Sequence, residues 1–103
     1  MRMMMEVRIP VEAGNDAIKD GSLMKIMQTS MAELKPEAAY FISREGERCG
    51  IMVFDMTDAS QIPGIAEPFF LGLEAKVTFQ PVMNAADLAA AGPGIAKAVA
   101  SHG

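Results

Sequence analysis

The chain has few of the residues that build covalent or metal centres. Its 103 residues include one cysteine, one histidine, one tyrosine and no tryptophan. A lone cysteine, Cys49, excludes an internal disulfide and any metal site made of several cysteines, and we interpret it as a small packing residue. The only histidine, His102, lies in a terminal segment expected to fray, which disfavours a general base or a haem ligand. We therefore expect no metal and no cofactor.

Clustered positive charge and long apolar runs are also missing. Nine lysines and arginines stand against thirteen acidic residues, for a formal net charge of −4. The basic residues are scattered singly, so a nucleic-acid partner is disfavoured. The apolar segment 1–5 is interrupted by Arg2 and followed by Glu6, unlike a secretory signal, and no stretch reaches the length of a membrane span. These absences predict a cytoplasmic protein that binds neither nucleic acid nor a membrane.

Apolar side chains are abundant, and ten of them are methionines. The chain is 50% apolar, which fits a single domain covering residues 1–103. A domain of this size buries only about 65% of its unfolded surface, so further burial in a dimer would add stability. Methionines fill irregular gaps in a core or line a cavity that accepts varied ligands. Core filling is the simpler interpretation, because methionine surfaces of the second kind usually follow one helix face.

The first half of the chain is predicted to form a strand and a helix. Apolar residues alternate over residues 3–11, which indicates a strand with one apolar and one mixed face. A stripe at helical spacing follows over residues 18–34. We expect Gly14-Asn15-Asp16 to begin this helix, Gly21 to weaken its first turns and Pro36 to end it.

A hairpin and a second helix come next. Residues 39–44 and 50–56 are predicted to pair as antiparallel strands around Glu45-Gly46-Glu47, where Gly46 can adopt a positive φ. Asp58 and Gln61 have the spacing of a capping box.

Three residues are predicted to shape the second helix. Pro63 lies in its first turn, where a missing N–H costs little. Pro68 predicts a kink or an early stop, because it removes a helical hydrogen bond. Gly72 is available as the cap that ends the helix.

A fourth strand and two short helices complete the pattern. The strand is predicted over residues 75–83, and Pro81 restricts it to an edge or to its own last residues. A short helix follows to Ala91, Gly92-Pro93-Gly94 should break it, and residues 95–100 should form a weak terminal helix. The order β-α-β-β-α-β predicts an α+β fold of the ferredoxin-like kind, with a four-stranded antiparallel sheet.

Several runs also resemble a known sequence family. They are Lys35-Pro36-Glu37-Ala38-Ala39-Tyr40-Phe41, Asp55-Met56-Thr57-Asp58-Ala59-Ser60-Gln61-Ile62-Pro63, Ala66-Glu67-Pro68-Phe69-Phe70, and Pro81-Val82-Met83 with Asp87-Leu88. These runs resemble an uncharacterised bacterial family of about 100 residues, similar in topology to ferredoxin-like dimeric α+β-barrel proteins. The resemblance implies two sheets that face each other across a two-fold axis. It implies no activity, because the wider superfamily includes cofactor-independent monooxygenases, haem-degrading enzymes, isomerases and proteins without known activity.

Five residues are the candidate ligand-binding set. Tyr40, Arg44 and Asp55 fall on strand faces that could coincide, which would bring a phenol, a guanidinium and a carboxylate onto an otherwise apolar surface. Glu67 and Phe70 of the second helix would form the rim. The alternative is an ion pair between Arg44 and an acidic residue of the hairpin, with Asp55 capping the following turn. The register of the hairpin decides between them, because a slip of one residue reverses every side chain.

Two classes of function remain open. The first is a homodimeric module, joined through its sheet faces, that binds a small molecule in an apolar cavity or serves a structural role. The second is a cofactor-independent enzyme of monooxygenase or isomerase type, acting on a small apolar carbonyl or phenolic substrate in the same cavity. The missing catalytic histidine and metal ligands favour the first. Whether the chain is an enzyme stays open at this stage, as does the identity of any ligand.

Overall fold

The computed structural model describes residues 1–103 and contains one four-stranded antiparallel sheet and five α-helices. The strands are β1 (Arg2–Ile9), β2 (Ala38–Arg44), β3 (Glu47–Asp55) and β4 (Lys76–Pro81), in the spatial order β2-β3-β1-β4. The helices are α1 (Val11–Asp20), α2 (Ser22–Leu34), α3 (Ile62–Leu73), α4 (Ala85–Ala90) and α5 (Gly92–His102). The predicted α+β class and the four-stranded antiparallel sheet are therefore confirmed.

One face of the sheet carries the hydrophobic core. In the register of the central strand, Met5 of β1 lies opposite Met52 of β3 and Phe79 of β4. Helices α1, α2 and α3 pack on this face, which we call the covered face. Its largest fully buried side chains, together with those of the helices, are Phe54, Phe69, Met5, Met52, Leu73 and Val7. Because side chains alternate along a strand, the next residues in each strand point to the other side of the sheet.

We call that other side the open face, since α1, α2 and α3 all lie across the sheet from it. Among its side chains only Cys49 is buried. The open face consists of Arg2, Met4, Glu6 and Arg8 of β1, Ala38, Tyr40, Ile42 and Arg44 of β2, Glu47, Cys49, Ile51, Val53 and Asp55 of β3, and Lys76, Thr78 and Gln80 of β4.

The predicted start of the first helix was wrong. Pro10 has φ −57° and ψ 143° and serves as the N-cap, so α1 begins at Val11 and Gly14 lies inside it. Proline has no N–H to donate and a φ already near the helical value, which suits it to a helix start. Gly14 is buried beneath Arg48, whose Nη1 atom would lie 2.6 Å from a Cβ at this position. The predicted single helix is in fact two, because Gly21 adopts φ 82° between α1 and α2.

The predicted antiparallel hairpin forms, but β3 begins at Glu47 rather than at residue 50, which leaves a turn of two residues, Glu45 and Gly46. β2 and β3 pair from Ala38 opposite Val53 to Arg44 opposite Glu47. Glu45 has φ 51° and Gly46 has φ 81°, so both central residues are left-handed, as tight two-residue turns between twisted strands require. Only Gly46 was expected to adopt this conformation.

The start of α3 matches the prediction. Asp58 and Gln61 form a reciprocal capping box, and a short 3-10 turn over Ala59–Gln61 leads into the helix, with Pro63 in its first turn. Pro68 does not end the helix early, because α3 continues to Leu73.

The predicted C-terminal cap of α3 was wrong. The cap is Glu74, with φ 52°, and Gly72 lies within the last turn instead. A Cβ at Gly72 would lie 2.5 Å from Cδ1 of Ile26 on α2. Glycine here therefore allows α2 and α3 to approach closely.

The end of the chain departs from the prediction. β4 is an edge strand that ends at Pro81, as expected. The two predicted terminal helices form, but the break between them falls at Ala91, and Gly92-Pro93-Gly94 begins α5 instead, because proline is well tolerated at the first positions of a helix. No residue of α4 or α5 is buried.

Candidate functional site

Three of the five sequence candidates share the open face but do not meet. Tyr40 lies opposite Ile51, Arg44 opposite Glu47, and Asp55 opposite Arg2. Glu47 and Asp55 are the two ends of β3, which places Arg44 and Asp55 about 27 Å apart along the strand. A small ligand cannot span this distance. The face of each residue was predicted correctly, whereas their convergence was not.

Asp55 has a local partner at its own end of the sheet. Its Oδ1 atom accepts a hydrogen bond from the main-chain nitrogen of Met1 at 2.8 Å, and its side chain is 74% exposed. Asp55 does not cap the turn that follows it, since Asp58 performs that role. Neither the predicted site nor the predicted alternative describes its position.

Glu67 and Phe70 lie on the other side of the sheet. α3 packs on the covered face through Ala66, Phe69 and Leu73, so the whole helix lies on that side of the sheet. Glu67 is exposed and Phe70 is half-exposed there. The five candidates therefore do not form one site within a protomer, and a ligand at any one of them stays a prediction.

A polar cluster that the sequence analysis missed lies in the middle of the open face. Arg44 Nε contacts Glu6 Oε1 at 2.5 Å, and the Cys49 thiol donates to the same oxygen at 3.3 Å. We call Glu6, Arg44 and Cys49 the Glu6 cluster. Arg44 is paired with a charge, as the alternative interpretation held, but its partner belongs to β1 rather than to the hairpin. The sequence signal that could have indicated this cluster was the mixed face of β1, where Glu6 interrupts an apolar pattern.

The surroundings of Cys49 keep its thiol protonated. Burial raises the pKa of Cys49, the nearby Glu6 carboxylate raises it further, and Arg44 opposes both. Thiolate rather than thiol is the nucleophilic form of cysteine. Cys49 therefore acts as a hydrogen-bond donor within the cluster and is a weak nucleophile at neutral pH.

Two further arginines of the open face, Arg2 and Arg8, are paired at its border. Arg8 donates to Glu47 at 2.6 Å and to Glu45 at 2.9 Å. Arg2 pairs with Glu37 and, at 3.5 Å, with Asp87 of α4. These pairs leave a central patch of apolar side chains made of Met4, Tyr40, Ile42, Ile51 and Val53. The open face thus combines a neutralised border, an apolar centre and one polar cluster.

A groove lies on the covered side of the sheet, between α2 and the β2–β3 hairpin. Its volume is about 610 Å³, and most of the side chains around it are apolar. Met24, Met27 and Met31 follow one face of α2 along it, and Phe41 and Gly50 belong to its opposite wall. Core filling was the expected role of the methionines. These three instead follow one helix face, which is the arrangement typical of a surface that accepts varied ligands. Seven of the ten methionines therefore fall into two groups, these three at the groove and four buried in the core, Met3, Met5, Met52 and Met56.

The structure has neither a metal-ligating cluster nor a helix that could span a membrane. No group of three or more His, Cys, Asp or Glu side chains is arranged to hold a metal ion. No helix combines the length and apolar content needed to cross a membrane.

Comparison with known proteins gives no match, either to a protein-family model or to a curated protein. The resemblance to ferredoxin-like dimeric α+β-barrel proteins therefore stays an expectation. The function has to be argued from the geometry of the two faces.

Proposed function

We propose that the chain is a ferredoxin-like module that forms a homodimer through the open faces of two copies and binds a small, largely apolar molecule between the sheets. The observation that carries the proposal is the composition of the open face, in which a patch of apolar side chains lies beside the Glu6 cluster. The strand order β2-β3-β1-β4, with antiparallel neighbours throughout, supports the ferredoxin-like assignment.

The dimer follows from what the open face exposes. Tyr40 and Ile42 are exposed on it, and Met4, Ile51 and Val53 at its centre are only partly buried, since α1, α2 and α3 pack on the other face. A face of this kind gains stability when a second apolar surface covers it. Two copies related by a two-fold axis present the same patch to each other. Because Arg2 and Arg8 at the border are already paired with carboxylates within each protomer, their charges oppose the approach of a second copy less.

The ligand chemistry follows from the donors within the patch. The Tyr40 side chain is 66% exposed, and that of Arg44 is 45% exposed although it pairs with Glu6. A guanidinium carries five N–H donors, so pairing with one carboxylate leaves others free. A phenol and a guanidinium beside apolar side chains suit an apolar molecule that carries a carbonyl or carboxylate group.

Binding is better supported than catalysis. Glu6, the carboxylate of the cluster, already accepts from both Arg44 and Cys49. The raised pKa of Cys49 disfavours nucleophilic attack by its sulfur. A cofactor-independent enzyme would need a free base within reach of its substrate, and these contacts leave the central carboxylate occupied.

The dimer is tested by placing a charge at the centre of the open face. Light scattering of the wild type should give 22.0 kDa, twice the protomer mass of 11.0 kDa. Ile51→Asp should give the monomer mass, with circular dichroism to verify that the variant is folded. The matched control is Leu71→Asp on α3, at an apolar residue that is 81% exposed, and it should stay dimeric. A monomeric wild type at micromolar concentration would refute the proposal.

The ligand site is tested with an apolar carboxylate. Fluorescence titration with cis-parinaric acid should give weaker binding for Tyr40→Phe and Arg44→Gln than for the wild type, by roughly tenfold for the arginine because a hydrogen bond to a charged group contributes about 1.5–3 kcal/mol. Lys76→Gln, at the edge of the same face, serves as the control. Equal affinities in all four proteins would place the fatty acid elsewhere and contradict the assignment.

A further inference from the structure

The two C-terminal helices form an arm that has no buried residue and that touches the domain through the Arg2–Asp87 ion pair. We call α4 and α5 the C-terminal arm. The Cα radius of gyration is 17.1 Å and the longest dimension is 58 Å, whereas a compact chain of this length has a radius of gyration of about 13 Å. On α5, Ile95 and Val99 lie one turn apart on the same face and are 54% and 63% exposed. The arm thus carries an apolar stripe that nothing in its own protomer covers.

The groove beside α2 is also apolar and uncovered within its own protomer. Met24 and Phe41 on its two sides are 61% and 62% exposed. An apolar groove between a helix and a hairpin accepts the apolar face of an amphipathic helix, with anchors one turn apart. Ile95 and Val99 have this spacing.

The groove of the same protomer is badly placed for its own arm. The arm follows β4, which ends at Pro81 opposite Met3. The groove lies toward the other end of β1, where Val7 faces Gly50, and beside the opposite edge strand, β2. The two positions differ by about 14 Å across the strands and about 13 Å along them. α1 and α3 lie on the covered face along this path, so the groove of a second copy is the better partner.

The area of the open face also favours a contact between the arm and a second copy. Four strands about 4.8 Å apart and about 25 Å long present roughly 500 Å². A stable interface buries about 800 Å² of accessible surface on each partner, and a face covered with side chains has somewhat more accessible surface than its flat area, so the sheet contact by itself is close to the minimum that a stable dimer needs. A reciprocal arm contact would add area on both sides of the dimer. The need for additional interface area rests on the proposed sheet dimer, whereas the complementary shapes of the arm and the groove do not.

We propose that Ile95 and Val99 of the C-terminal arm insert into the groove between α2 and the β2–β3 hairpin of a second copy, which returns the same contact. The exchange would cover the methionine face of α2 and the apolar stripe of α5 together. It assigns the groove to a segment of the same protein rather than to a small molecule.

Cysteine pairing between two differently labelled chains tests this contact. Both chains carry Cys49→Ala, one adds Met24→Cys and the other adds Val99→Cys, and the two are refolded together and oxidised. Each chain then has one cysteine, so a disulfide joining positions 24 and 99 must connect two chains. The control replaces Val99→Cys with Lys97→Cys, on the opposite face of α5. Mass spectrometry should find the 24–99 disulfide at least about tenfold above the 24–97 disulfide, because bridging requires Cα atoms within about 7 Å. Equal yields would overturn the proposal.

A second measurement uses the exposure of the groove. Val99→Asp should release the arm and increase the fluorescence of anilinonaphthalene sulfonate, whereas Lys97→Asp should not. Equal dye fluorescence in the wild type and Val99→Asp, or a small molecule that co-purifies with the wild type and is lost in Met24→Asp, would also overturn it.

Ile51→Asp separates the two proposals. If Ile51→Asp dissociates the dimer and the 24–99 disulfide is missing from the cysteine-bearing chains that keep Ile51, only the arm proposal fails. If the disulfide forms in a dimer that tolerates Ile51→Asp, only the sheet proposal fails.

Discussion

Met4 and Met5 are neighbours in the central strand, yet they belong to different environments. Met5 is fully buried beneath the helices, whereas Met4 faces the open side of the sheet and stays partly exposed. The residue type, the strand and the backbone conformation are the same. The role of an apolar residue in this sheet therefore depends on what packs against its own side. The covered face is complete within one chain, and the open face is not.

The largest expected effect separates these two methionines. Met5→Ala should lower the free energy of unfolding by about 2–5 kcal/mol, because it leaves a cavity in a fully packed core. Met4→Ala should cost less than about 1 kcal/mol within the protomer. Urea unfolding at one fixed protomer concentration measures both. Similar losses in the two variants would mean that the open face is as tightly packed as the core.

An intermediate effect concerns the helices over the covered face. Gly72 and Gly64 both lie in α3, but a Cβ would meet Ile26 at Gly72 and open space at Gly64. Gly64→Ala should stabilise the protein by about 0.5–1 kcal/mol through helix propensity. Gly72→Ala should be less favourable than Gly64→Ala by about 1–2 kcal/mol, since overpacking offsets that gain.

The double variant Gly72→Ala with Ile26→Val provides the control for this difference. Valine lacks the Cδ1 atom that lies closest to Gly72, so the double variant should recover part of the loss in a thermodynamic cycle. Additive free energies of unfolding would show that the two helices do not touch at this point.

The smallest effect comes from the one buried thiol of the open face. Because the pKa of Cys49 is raised in the folded protein, the folded state keeps a proton that the unfolded state releases. This contribution to stability is complete below a pH of about 8.5 and is lost as the pH rises toward the folded pKa. Unfolding in urea across this range should show the decline for the wild type but not for Cys49→Ala. An identical pH dependence in both proteins would argue against the buried position of the thiol.

Much of the fold could be predicted because local chemistry determined it. The alternation in β1, the glycine in the hairpin turn and the Asp58–Gln61 capping box each depend on neighbouring residues alone. Prolines were harder to interpret. Pro10 and Pro93 both lie at helix starts, whereas Gly14 and Gly92, interpreted as a start and a break, are accommodated within helices.

The site could be predicted only in part. Alternation along β2 and β3 placed Tyr40, Arg44 and Asp55 on one face, since the strand period fixes which side a residue takes. Alternation says nothing about distance along the strand, so Asp55 was grouped with Arg44 from the far end of the sheet. Glu6 was missed because its role depends on pairing between β1 and β3, whose residues are more than forty positions apart in the chain.

The central position of β1 has a consequence for synthesis. The ribosome makes this strand before either of its neighbours, β3 and β4. At about 5–20 residues per second, β3 is finished about 2 to 9 s after β1. Until then the methionine-rich strand has no backbone partner, and only the α1–α2 segment, which follows it directly, is available to shelter it. Aggregation during translation, rather than of the folded protein, is therefore the hazard that this topology creates, and a chain stalled before residue 55 would be the form most in need of a chaperone.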